Sequence, residues 1–262
     1  MIGIIGAGNM GGAMAKQFGG RVIISDKDYK RLRFLKAKMG RKTIRATMDN
    51  ARLVRDVDTI IIAVKPQDIA DLLKEIRPYL TEDKLIISIA AGVRLKTLED
   101  ALGRMRLIRV MPNLPVLTGK GMSAIARGRF ATKKDMQTAR NIFSRIGQVV
   151  ELDEKYMDAV TALSGSGPAY YFLFTNLLEK AGETVGLKRN IARQIIKATF
   201  LGSASLAEKM DIPMEDFVKR VASKGGTTEA ALKVFKKSGF EKIIKKAVDA
   251  AYNRSKELAA GS

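Results

Sequence analysis

Up to residue 152 the chain alternates short β-branched runs with stretches of helical period. The runs Ile2–Ile5, Arg21–Ser25, Thr43–Arg45, Thr59–Val64, Leu85–Ile89, Leu107–Met111, Met122–Ala126 and Gln148–Glu151 predict strands. Helices are predicted between most of them, over Met10–Phe18, Asp28–Met39, Asn50–Arg55, Gln67–Pro78, Leu95–Leu102 and Lys133–Ile146. The run Thr59-Ile60-Ile61-Ile62-Ala63-Val64 has no polar alternation, as a strand covered on both faces requires. Strand–helix alternation of this kind predicts a largely parallel sheet with helices on both sides.

Beyond Asp153 the strand-like runs stop. Helical stretches follow over Glu154–Leu163, Pro168–Val185, Lys188–Met210, Pro213–Ala222, Thr228–Lys237 and Glu241–Ala260. Pro168 and Pro213 suit first helical turns, and Gly186 and Gly239 suit helix ends. The change of pattern predicts two domains, an α/β domain over 1–153 and an all-helical domain over 154–262. The run Ala169-Tyr170-Tyr171-Phe172-Leu173-Phe174 is apolar around most of its helix and must be covered. In so small a helical domain, the expected cover is a second subunit.

The first predicted strand runs into Gly6-Ala7-Gly8-Asn9-Met10-Gly11, which opens the first helix. Alone, Gly-x-Gly-x-x-Gly says little. Between a strand and a helix, with an acidic residue at the end of the next strand about twenty residues on, it reads as a dinucleotide cradle. Gly6 permits the tight turn, Gly8 lets a pyrophosphate approach the backbone, and Gly11 lets the helix lie close to the strand. The helix N-terminus offers free amides and partial positive charge to the phosphates. The expected architecture is therefore a Rossmann-like doubly wound sheet followed by an all-helical C-terminal dimerisation domain. Gly6, Ala7, Gly8, Asn9 and Met10 are candidate cofactor contacts. Asp26 favours NAD through the ribose hydroxyls, while Lys27, Lys30 and Arg31 favour the extra phosphate of NADP. Their number tips the expectation to NADP.

Composition narrows the chemistry. The chain of 262 residues has no cysteine and no histidine. Disulfides, thiolate nucleophiles, zinc–thiolate sites and imidazole bases are excluded, and no metal site is expected. Chemistry in which a cofactor performs the hard step is favoured. The net charge of +20 could serve nucleic acid, but the basic residues are scattered and tryptophan is absent, so no stacking platform stands out. The same positive field draws in anionic small molecules. The start Met1-Ile2-Gly3-Ile4 lacks a basic segment ahead of an apolar stretch, and no apolar run nears the ~18 residues of a membrane span. A cytoplasmic protein is expected.

Further motifs lie at predicted strand ends and loops. They are Ala63-Val64-Lys65-Pro66-Gln67, Ser88-Ile89-Ala90-Ala91-Gly92, Arg109-Val110-Met111-Pro112-Asn113-Leu114-Pro115, Ala162-Leu163-Ser164-Gly165-Ser166-Gly167-Pro168 and Ser223-Lys224-Gly225-Gly226-Thr227-Thr228-Glu229. In this order and spacing the set resembles the pyrroline-5-carboxylate reductase family along the whole chain. Those enzymes use NAD(P)H to reduce 1-pyrroline-5-carboxylate to L-proline, the last step of proline synthesis. The resemblance implies that Ala63, Val64, Lys65, Pro66, Ile89, Ala90 and Ala91 line the cofactor, that Ser25 belongs to the same site, and that Asn50 lies near the adenosine ribose phosphate. It implies substrate contacts from Ser223, Gly225, Gly226, Thr227 and Thr228, with Thr228 as the catalytic hydroxyl against the ring nitrogen. It also implies interlocked dimers, with a ring of five dimers as the larger assembly to test. Lys224 departs from the family, which commonly has proline there.

Read on their own residues, these segments keep alternatives. Gly225–Thr228 suits a loop whose amides hold a carboxylate, while Ser223 and Thr227 also suit helix caps, and capping is expected of at least one. Ser164–Pro168 suits an interdomain turn as well as close approach of a nicotinamide or a second subunit. The competing functions are reduction of another cyclic imine or keto acid, and non-enzymatic binding of a dinucleotide or nucleic acid.

Overall fold

The computed structural model describes residues 1–20, 22–39 and 44–260. The expected strand ends Arg21 and Thr43 lie outside them. Eight strands form one sheet: β1 (Ile2–Ile5), β2 (Val22–Ser25), β3 (Ile44–Thr47), β4 (Thr59–Ile62), β5 (Leu85–Ser88), β6 (Arg106–Pro112), β7 (Gly121–Arg127) and β8 (Gly147–Glu151). Their order is β3-β2-β1-β4-β5-β6-β7-β8. The first six run parallel, β7 is antiparallel to β6, and β8 is parallel to β7. The reversal at β7 has a simple cause. Residues 113–120 are too short a connection for the crossover helix that a parallel neighbour needs.

Helices α1 (Asn9–Phe18), α2 (Tyr29–Met39), α3 (Asn50–Asp56), α4 (Ile69–Ile76), α5 (Leu95–Leu102) and α6 (Lys133–Phe143) cover the sheet. Successive strand residues face opposite layers. Ile4, Ile24, Ile61 and Ile87 pack with Met14, Phe18, Leu32 and Phe143 of α1, α2 and α6. Ile5, Ile23, Ile60, Ile62 and Ile86 pack with Leu53, Leu72, Ile76 and Leu98 of α3, α4 and α5. Both parities are apolar because both faces are buried, which is the doubly wound arrangement. In α4 the spacing of Ile69, Leu72, Leu73 and Ile76 gives one inward stripe. In α6 a capping box stops fraying: Thr132 Oγ1 accepts from the Asp135 amide at 3.2 Å, and Asp135 Oδ2 accepts from the Thr132 amide at 2.8 Å.

The stretch expected as one helix over Glu154–Leu163 is three short pieces. They are a 3-10 turn at Glu154–Tyr156, α7 (Met157–Val160) and a π turn at Thr161–Gly165. Side-chain anchors divide it. Glu154 Oε1 accepts from buried Arg109 of β6 at 2.9 Å and caps α5 through the Leu95 amide at 2.7 Å. Asn113 bonds Ser164 at 3.2 Å. These contacts keep the stretch with the sheet, and the compact units of the chain divide at Ser166/Gly167. From Ala250 the end of the last helix also belongs to the first unit, where Ser255 Oγ donates to Asp158 at 2.7 Å.

The second unit, Gly167–Asp249, holds α8 (Gly167–Thr184), α9 (Arg189–Lys209), α10 (Met214–Val221), α11 (Thr227–Lys237) and the first half of α12 (Phe240–Ala260). Phe174, Phe235 and Phe240 form an aromatic cluster with centroids 5.2 to 6.3 Å apart. Tyr171, Phe172, Leu173 and Leu177 of α8 are each more than half exposed in the single chain. Burial of this segment is therefore not achieved within one chain. Exposed apolar area on this scale marks an interaction face.

Candidate active site

The turn after β1 has the shape its glycines predict. Gly6 has φ 109°, and a side chain there would meet the Ala63 carbonyl oxygen at 2.6 Å. At Gly11 a Cβ would lie 2.0 Å from the Gly6 oxygen. Gly8 differs, since a Cβ there would meet no protein atom within 4 Å. Its bare face opens where a pyrophosphate approaches. Gly8 is also the N-cap of α1, with no side-chain cap and no acidic residue in the first turn. The first helical bond runs from the Gly12 amide to the Gly8 oxygen at 2.8 Å. The amides of Asn9, Met10 and Gly11 are thus not used by the helix and form the kind of N-terminus that suits an anion. The residues present fit a dinucleotide.

This turn forms one wall of a cleft of about 800 Å³. The cleft lies outside the carboxyl ends of β1 and β4, where the strand order reverses. Of the residues expected at the cofactor, Gly6, Gly8, Asn9, Met10, Asp26, Lys27, Asn50, Ala63, Val64 and Lys65 line it. Ala7, Ser25, Pro66, Ile89, Ala90 and Ala91 do not line this cleft. Ser25 is completely buried, so its side chain offers no surface to a ligand. Its hydroxyl donates to Asn50 Oδ1 at 2.6 Å, and Asn50 Nδ2 donates to Glu75 at 3.1 Å. Ser25 orients Asn50, and Asn50 faces the cleft. Ala7 likewise acts through its backbone, donating to Asp26 Oδ2 at 2.7 Å. Pro66 begins a 3-10 turn after β4 and orients the chain there. Ile89 and Ala90 are buried directly beyond β5, the Ala90 amide held by Ser88 Oγ at 3.4 Å.

The acidic residue of the second strand is less available than its position suggested. Asp26 is almost fully buried and also accepts from the Asp28 amide at 2.8 Å. Both carboxylate oxygens are engaged by the protein's own backbone. Around the rim, Lys27 is exposed and meets Asp68 at 3.2 Å, and Arg31 lies 3.6 Å from Asp26 and 3.5 Å from Asp28. Asp68, Asp71, Leu72 and Glu75 also line the cleft and were not singled out from sequence. Their signal was the i, i+3, i+4, i+7 spacing, which puts them on one side of α4 and its approach.

In the second unit, the expected substrate loop enters α11. The N-cap is Gly226, and no side chain caps it. Capping by Ser223 or Thr227 is thus corrected: the Gly226 amide bonds the Ser223 carbonyl at 3.0 Å, and Thr227 is already inside the helix. Gly225 has φ 74°, and its amide donates to Glu229 Oε2 at 2.5 Å. That bond, with help from Lys233, holds the Glu229 carboxyl below the usual range. Helical bonding starts with the Ala230 amide to the Gly226 oxygen at 3.2 Å. The amides of Thr227, Thr228 and Glu229 are left at the helix mouth, with Thr228 half-buried beside them. Lys224 is exposed.

Fold and cleft define a dinucleotide-binding α/β protein with a helical second unit. The family model for pyrroline-5-carboxylate reductase dimerisation matches residues 154–258. That for NADP oxidoreductase, coenzyme F420-dependent, matches residues 1–92. A pyrroline-5-carboxylate reductase of Methanosarcina acetivorans is 39% identical over 265 residues, which cover 98% of this chain and 97% of that protein. The structure of a pyrroline-5-carboxylate reductase from Coxiella burnetii matches with a TM-score of 0.90, at 33% identity and 98% of both chains. That of Plasmodium falciparum pyrroline carboxylate reductase with NADP bound matches with a TM-score of 0.85, at 30% identity over 98% of this chain and 97% of that one. This chain belongs to the pyrroline-5-carboxylate reductase family. Among the described residues no helix is long and apolar enough to cross a membrane.

Proposed function

We propose that this protein reduces 1-pyrroline-5-carboxylate to L-proline, with NADPH preferred over NADH. The observation that carries the reading is the glycine-lined cleft at the strand-order reversal, in a chain akin to these reductases over nearly its whole length. When bound, the dinucleotide supplies the hydride that goes to the imine carbon. The residues of this chain bind, orient and supply protons. Amides of Asn9, Met10 and Gly11 hold the pyrophosphate. Lys27 and Arg31 bring positive charge to the adenosine end, and their exposed pairing with aspartates is weak enough to yield to a phosphate. Amides of Thr227, Thr228 and Glu229 hold the substrate carboxylate. The Thr228 hydroxyl serves the ring nitrogen as donor or proton relay. This scheme needs no imidazole, in keeping with a chain that has no histidine.

The exposed apolar face of α8 and the dimerisation-family match support a dimer, and a ring of five dimers is the larger assembly proposed. A cytoplasmic location is also proposed. Initial rates of NADPH and NADH oxidation with 1-pyrroline-5-carboxylate test the reading, compared with pyrroline-2-carboxylate, piperideine-carboxylates and hydroxy acids. No turnover of 1-pyrroline-5-carboxylate with either cofactor overturns it. Thr228→Val is expected to lower turnover far more than cofactor affinity, and equal losses would remove the proposed role of the hydroxyl.

A further inference from the structure

The carboxyl edge of β6 carries polar structure that the cleft beside β1 and β4 does not use. Asn113 follows Pro112 directly, and its side chain is bound at both ends. The Met122 amide donates to Asn113 Oδ1 at 2.8 Å, and Asn113 Nδ2 donates to Ser164 Oγ at 3.2 Å. A backbone N–H can only donate, so the first bond settles which end of the amide faces which partner. Nδ2 must face Ser164, and Ser164 Oγ must accept. The Ser164 hydroxyl proton is then directed away from Asn113.

Ser164 sits in the π turn Thr161–Gly165, closed by the Ser166 amide on the Thr161 carbonyl at 2.9 Å. Such turns are rare and concentrate at functional sites. This one is pressed against the end of β6: a Cβ at Gly165 would come within 2.6 Å of Met111 Cε. Ser164, Gly165 and Ser166 are only partly buried. In a doubly wound sheet the pyrophosphate sits at the β1 turn, the adenosine extends towards β2, and the nicotinamide lies towards β4, β5 and β6. The Asn113–Ser164 pair is therefore at the nicotinamide end.

We propose that Asn113 is a positioning residue that turns the Ser164 hydroxyl outward to donate to the nicotinamide carboxamide oxygen. That bond fixes which way round the ring lies over the sheet. The inference rests on the reading of the cleft as an NAD(P)H site and extends it to two residues outside the cleft.

Calorimetric titration with NADPH and with 2′,5′-ADP, which carries only the adenosine end, tests it on the full-length protein. Ser164→Ala removes the donor. Asn113→Asp is the sharper variant. Aspartate still accepts from Met122, and its second oxygen accepts from Ser164, so the clamp survives while the hydroxyl proton turns inward. Both variants are expected to bind NADPH roughly tenfold more weakly, the loss of about one hydrogen bond. Binding of 2′,5′-ADP and the melting temperature should stay near wild type. Ser164→Ala adds no charge and carries the test alone if Asn113→Asp does not fold. Wild-type NADPH affinity in Ser164→Ala overturns the proposal. A parallel loss of NADPH and 2′,5′-ADP overturns it in favour of a purely structural role. If the wild-type protein binds neither nucleotide, the reading of the cleft itself fails.

Discussion

Asp26 closes the glycine-rich turn from behind, its buried carboxylate accepting the Ala7 amide at 2.7 Å. With the Asp28 amide on its other oxygen, this acid shapes the turn at the edge of the cleft that it lines. Asp26→Ala is therefore expected to lower the affinity for NADPH and NADH alike. It should also cost about 1.5–3 kcal/mol of stability, the range for hydrogen bonds to a charged group. Chemical denaturation and binding of both cofactors check this. A rise in NADPH-over-NADH preference with unchanged stability would show that Asp26 reads the ribose.

Lys27 and Arg31 line the cleft with Lys65, and of these Lys27 and Arg31 follow β2. The double variant Lys27→Ala/Arg31→Ala is expected to weaken NADPH by about tenfold or more, through lost charge-assisted bonds to the ribose phosphate. NADH should change much less. The NADPH dissociation constant of the wild type should also rise more steeply with salt. Equal losses for both cofactors would place these side chains elsewhere in the complex.

Gly8 and Gly11 separate binding from folding. Gly8→Ala places its methyl in open space, so the melting temperature should hold while dinucleotide affinity falls. Gly11→Ala drives a methyl to 2.0 Å from the Gly6 oxygen, so the turn must rearrange and both properties should fall. Thermal melts beside nucleotide titrations distinguish the two. A Gly11→Ala protein with wild-type stability would contradict the packing described.

Glu229 gives the proposed substrate loop a pH dependence. Its carboxyl is held low, chiefly by the Gly225 amide and then by Lys233. A carboxylate depressed in the folded state contributes stability that is present above its unfolded pKa and is lost as pH falls through the folded one. The Gly225–Glu229 contact should thus persist at neutral pH and fail only below the ordinary glutamate range. Carbon-13 NMR titration of the Glu229 carboxyl checks this, and Lys233→Ala should move the midpoint upward. A midpoint at or above the ordinary value would show that the contact is not formed in solution.

Much of the α/β unit was legible because its signals are local. Isoleucine runs such as Thr59–Ile62 make strands buried on both faces whatever lies nearby. Gly6-Ala7-Gly8-Asn9-Met10-Gly11 carries its turn in its own backbone freedom. Asn50 and Lys65 could be placed at the cleft by resemblance, and they line it. The covering of Asp26 was not legible, because it depends on an amide nineteen residues away. Nor was the breaking of Glu154–Leu163 into three pieces, because the anchors Arg109 and Asn113 come from a distant strand and the turn after it.

The sequence by itself determined the alternating layers, the phosphate-binding turn and a chemistry without imidazole or thiol. Each follows from residue type and short-range spacing. Tertiary structure decided which polar side chains face a ligand and which face the protein. Ser25 turned inward, Asp26 took two backbone partners at the edge of the cleft, Asn50 faced the cleft, and Asn113 was fixed at both ends. Those directions depend on which donors the fold brings within about 3 Å, and hydrogen-bond partners far apart in the chain leave no period to read.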